Sequence, residues 1–65
     1  MPVIQITIGK TPAEQKKALI ERLTAEAIAI TGIAAGEFTV LIQELERDNI
    51  GRGGKTLTEI LGPRV

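Results

Sequence analysis

The chain has 65 residues, 43% apolar, 2% aromatic and 25% charged, and its eight basic residues balance eight acidic ones. That balance removes the overall field that would draw it to nucleic acid or an anionic membrane, and no segment approaches the roughly 20 apolar residues of a membrane span. A domain this short buries only about 60% of the surface its unfolded form exposes; with no Cys or His to supply disulfides or a usual structural metal site, association is the expected supplement.

The segment Pro2 to Ile8, "PVIQITI", is rich in β-branched residues, with Ile4, Ile6 and Ile8 on one face and Val3, Gln5 and Thr7 on the other. It is expected to form a strand from the N-terminus, and Pro2 fits its first position because no ladder donor is needed there. The following "GKTPAEQ" signals a helix start, with Thr11 as N-cap, Pro12 at the first helical position and Glu14 completing a Thr-x-x-Glu capping box. From Pro12 to about Thr31, Leu19, Ile20, Leu23, Ala27 and Ile30 follow helical spacing, and Gly32 is placed to end the helix. Ile28 falls opposite Leu19, either as an ordinary exposed Ile or as a subunit contact.

A second strand is expected over Glu37 to Leu45, "EFTVLIQEL", with Phe38, Val40 and Ile42 facing one way and Thr39, Leu41, Gln43 and Leu45 the other. Both faces are largely apolar, as in a strand covered on both sides. Strand, helix, strand predicts a parallel pair with a right-handed crossover. One helix covers one face of such a pair, so the other face and the edges call for further copies. The tail after Asn49 has closely spaced glycines and then "KTLTEIL", suited to a small hairpin or arm. No linker or repeat divides residues 1–65, which are expected to form a single domain. The N-terminus lacks a signal peptide's charged and apolar regions, so a soluble cytoplasmic protein is expected.

"GRGGKT" resembles the end of a phosphate-binding loop, but Asn49 stands where the first glycine should be. The chemical inventory is narrow. Without His, Cys, Ser, Tyr or Trp, hydroxyl and thiol triads and imidazole acid/base work are excluded, and proton transfer falls to Asp/Glu, Lys or the terminal amine. Glu44, Glu46 and Asp48 alternate at the end of the second strand, as a solvated strand end or as a set of acids on one face. Met1 precedes a small residue and is suited to removal, which would leave Pro2 with a secondary amine. An ordinary α-amino group has a pKa of roughly 7.7–8.0, so a modest drop makes it a usable base at neutral pH.

Together, "MPVIQITI", "GKTPAEQKKALIERLT", "FTVLIQEL" and "DNIGRGGKTLTE" resemble the 4-oxalocrotonate tautomerase family over nearly the whole chain. The resemblance implies an α+β subunit of β-α-β type with a parallel two-stranded sheet, one long helix and a short C-terminal hairpin or arm. It further implies assembly as a homo-oligomer, commonly a hexamer built as a trimer of dimers, with no cofactor and no metal. The implied activity is keto–enol isomerisation of a small unsaturated 2-hydroxy or 2-oxo acid such as 2-hydroxymuconate, with Pro2 as proton shuttle, in aromatic compound catabolism. The substrate-handling positions implied are Lys10, Thr39, Ile50 and Arg52. Well-studied members have arginine at the first two and an aromatic residue at the third, while an aliphatic residue is usual at the fourth. Arg52 is then either a substitute guanidinium or a solvated loop arginine. The departures leave two alternatives: a Pro-dependent dehalogenase or decarboxylase using Glu44 to activate water, and a catalytically silent assembly or anion-binding module.

Overall fold

A computed structural model describes residues 1–63; the last two residues of the single domain expected from sequence lie outside the described residues. Strand β1 spans Val3–Ile8, helix α1 Ala13–Thr31 and strand β2 Thr39–Glu44. A 3₁₀ turn at Ala35–Glu37 leads into β2, and another at Arg47–Asn49 leads out of it. The arm follows, with the short strands β3 (Gly51–Arg52) and β4 (Lys55–Thr56) and helix α2 (Leu57–Leu61).

β1 and β2 pair in parallel, from Val3 opposite Thr39 to Ile8 opposite Glu44. One further backbone bond lies beyond each end of this register: Thr39 N–H donates to the Pro2 carbonyl (3.1 Å) and Leu45 N–H to the Ile8 carbonyl (2.9 Å). β2 is therefore shorter than the span expected from composition, because residues 35–37 coil before the chain extends at Phe38.

Alternation divides the sheet as the β-branched pattern predicts. Ile4, Ile6, Ile8, Val40 and Ile42 are partly covered, whereas Val3 and Leu41 on the opposite face are 54% and 48% exposed. That open face also carries a side-chain hydrogen bond across the strands, from Thr7 Oγ1 to Gln43 Oε1 (3.3 Å). Among the described residues no side chain is fully buried.

The helix start differs from the sequence expectation. Pro12 is extended (ψ 149°), so Pro12 occupies the N-cap position and Ala13 begins the helix. Thr11 is drawn away from the helix: its hydroxyl donates to the Gly9 carbonyl and its N–H to Glu44, so the Thr11–Glu14 capping box does not form. Glu14 is left in the first turn, where the helix dipole favours a negative charge. At the other end Gly32 adopts φ 74°, the left-handed conformation expected of it, and its N–H caps Ile28 O.

The covered stripe of α1 is also displaced. Ile28 is half-buried beside Thr24 and Ala27 rather than outward, whereas Ile20 is exposed and Ile30 is 77% exposed. Length explains part of this: α1 runs about 28 Å against about 20 Å for a six-residue strand, so the helix outruns the sheet it covers.

In the arm, Gly53 and Gly54 have φ of 61° and 84°. Positive φ at both central residues is the condition for a two-residue type I′ hairpin, and here it joins β3 to β4. The expected hairpin is present, but "TLTEIL" continues as helix, with Thr56 and Glu59 forming the capping box that Thr11 and Glu14 do not. Leu57 N–H to Ile50 O, Arg47 Nη1 to Gly62 O and a Thr58–Asp48 side-chain bond tie the arm to its own root.

The uncovered sheet face generates a prediction about assembly. Sedimentation equilibrium should give a mass several times that of one chain, and Leu41→Glu should shift it toward smaller species. A wild-type monomer would contradict the covering argument.

Candidate active site

Among the described residues, the sequence-predicted site residues fall into three groups. Pro2 and Thr39 are neighbours at the start of the parallel pair, joined by the Thr39 N–H bond to the Pro2 carbonyl. Pro2 is half-buried and Met1, just before it, is 89% exposed. The sheet thus holds the proline by its carbonyl, while its nitrogen lies outside the β1–β2 register.

Lys10 belongs to the opposite end of β1. It lies eight positions from Pro2 and two beyond the end of β1, whose six residues alone span about 20 Å at about 3.3 Å per residue, so the two sit at opposite ends of the strand. Its ammonium is 3.8 Å from Glu46 Oε1. Ile50 and Arg52 form the third group, on the arm beyond the far end of β2. Ile50 is half-buried and bonded to Leu57 through its carbonyl, while Arg52 is exposed and has no ion pair among the described residues.

The three alternating acids do not converge on one site. Glu44 accepts from Thr11 N–H (2.9 Å) and Lys16 Nζ (3.1 Å), Glu46 faces Lys10, and Asp48 bonds Thr58. No group of three His, Cys, Asp or Glu suited to a metal ion occurs among the described residues. Glu44 also stands at the opposite end of β2 from Thr39, away from the Pro2 of the same chain and at the end of the sheet that carries Lys10. Its partners tie the loop and first turns of α1 to the end of the sheet.

The Thr11 N–H, followed by the Lys16 ammonium, holds the Glu44 carboxyl below the usual carboxylate range, against the opposing effect of burial. Nothing local in the sequence indicates this contact, since Thr11 and Glu44 are 33 positions apart. Thr56 and Glu59 are different: their Thr-x-x-Glu spacing is a helix-start signal. An apolar hollow along α1, lined by Gln15, Ala18, Leu19, Arg22, Leu23 and Glu26, contains none of the predicted site residues.

No helix among the described residues is long and apolar enough to cross a membrane. Residues 2–60 match the family profile described as "Tautomerase enzyme". A Dickeya dadantii protein called "Probable tautomerase K2" is 41% identical over 61 residues, with 91% of each chain covered. Among solved structures, a heterohexamer 4-oxalocrotonate tautomerase from Chloroflexus aurantiacus is 30% identical, with a TM-score of 0.82 over 92% of this chain and 98% of that one. DmpI from Archaeoglobus fulgidus is 35% identical, with a TM-score of 0.78 over 88% and 98% of the two chains.

The Glu44 contacts set a pH dependence. Folding favours the ionised carboxylate, so the stabilisation is complete above the ordinary glutamate value and is lost as pH falls through the lower folded value. Urea unfolding at fixed chain concentration should show stability falling more steeply with acid in wild type than in Glu44→Gln. Parallel pH profiles would contradict the preferential ionisation.

Proposed function

The chain belongs to the tautomerase family, and from that premise we propose that it is an isomerase acting on a small unsaturated 2-hydroxy or 2-oxo acid, with the amine of Pro2 as base. The observation carrying this reading is the position of Pro2: the family match begins there, Met1 before it stands exposed, and the sheet holds its carbonyl. Hydrolysis of the Met1–Pro2 bond releases methionine and converts the tertiary amide nitrogen into a secondary amine.

The neutral amine accepts the proton of a dienol hydroxyl, electrons move through the conjugated chain to form the ketone, and the resulting prolinium returns a proton to carbon. The net reaction is an isomerisation, with no redox step and no consumed co-reactant. Positive groups beside the site stabilise the developing enolate and favour the neutral amine. Lys10 and Arg52 are the cations assigned this work, Thr39 supplies a hydroxyl beside Pro2, and Ile50 an apolar wall.

The separation of Pro2 from Lys10 along one strand means that a shared centre draws Lys10 from another copy. We therefore assign the active species as an oligomer of this chain; the resemblance to the family supports a hexamer, and a cytoplasmic compartment is proposed from the sequence alone. Two departures from the family pattern favour testing a silent module as the second reading: Thr39 stands where members carry arginine, and Ile50 where they carry an aromatic residue.

The test follows ketonisation of 2-hydroxymuconate by ultraviolet absorbance. Pro2→Ala should lower the rate by about a hundredfold or more, and Arg52→Ala by about a hundredfold, as for a lost electrostatic donor. Intact mass spectrometry should show a chain lacking Met1. Equal rates for wild type and Pro2→Ala, or retained Met1 in the active protein, would overturn the proline mechanism; absence of activity in demethionylated wild type would favour the silent module.

A further inference from the structure

The β3–β4 register pairs Arg52 directly with Lys55. Directly opposed residues of an antiparallel pair share a face, with Cβ atoms about 5 Å apart, so these two cations project together from the hairpin. Both are exposed and neither has an ion pair among the described residues. The nearby acids are committed elsewhere: Glu59 accepts from Thr56 and Asp48 bonds Thr58.

Like charges opposite one another destabilise a hairpin, so this pairing conflicts with the local fold. The surroundings leave room for an anion to resolve that conflict. A Cβ placed on Gly53 or Gly54 would meet nothing within 4 Å, and neither glycine uses its N–H in a backbone turn bond. Arg52 offers a planar fork suited to two carboxylate oxygens, and Lys55 a mobile point charge beside it.

We propose that Arg52 and Lys55 form a two-cation clip that binds one carboxylate, making Lys55 a substrate-positioning residue alongside Arg52. The assignment rests on the oxo-acid reading above, and deepens it by identifying which groups share a substrate anion. A single carboxylate between the two side chains relieves their repulsion, so the two contributions are coupled. Lys55, which the phosphate-loop pattern would direct to a nucleotide, instead serves an organic acid.

The experiment measures binding without turnover. Demethionylated Pro2→Ala protein is titrated calorimetrically with fumarate and, as an uncharged control, fumaramide. Fumarate should bind and fumaramide should not. Arg52→Ala and Lys55→Met should each weaken fumarate about tenfold, the double variant should lose less than the product of the two, and Lys55→Arg should retain affinity. Circular dichroism and sedimentation on the same samples verify fold and assembly. Failure of folded Pro2→Ala protein to bind fumarate, unchanged affinity in folded Lys55→Met, or strictly multiplicative losses would overturn the clip. Those results leave the proline mechanism to its own kinetic test, and an inactive proline mechanism leaves the binding result standing.

Discussion

The half-covered parallel sheet is the constraint on which the rest depends. One helix lies against one face of two strands, while the other face presents Val3 and Leu41 among hydrogen-bonding side chains. Even the covered face does not reach full burial. The hydrophobic contribution of an isolated chain is correspondingly incomplete, and ordering its backbone remains costly. Association is therefore a matter of stability before it is a matter of catalysis.

The same architecture governs the chemistry. Parallel pairing places Pro2 beside Thr39 and sends Lys10 to the opposite end with Glu44 and Glu46. A single chain separates groups that the proposed reaction uses together. The arm adds a third location, tied to its own root through Arg47, Asp48 and Ile50. In the proposed oligomer, subunit contact and active-site composition are the same problem, since moving one copy against another would change both covered area and the distance between cations and base.

The main elements were legible because their signals are local. β-Branched alternation marked both long strands, a helical apolar pattern marked α1, and Gly32 marked its end. The whole-chain resemblance to the tautomerase family singled out Pro2, whose chemistry composition alone left open. The Thr11 cap expected from sequence does not form because both its N–H and hydroxyl have partners outside the helix, one of them on a strand 33 positions away. Thr56 and Glu59 carry the signature of α2, but the adjacent glycines point to a turn, so a hairpin or arm is all that the local pattern suggests. The separation of Thr39, Lys10 and Arg52 into three places is not legible, for it depends on strand direction and chain length rather than on residue type.

The Gly53–Gly54 bend separates two kinds of sequence requirement. The glycines carry the left-handed backbone geometry, while the flanking positions 52 and 55 carry the outward chemistry. Exchange of those two side chains leaves the turn's conformational requirement intact. With the proposed clip, the tip is a place where ligand preference could change without altering the turn that folds it.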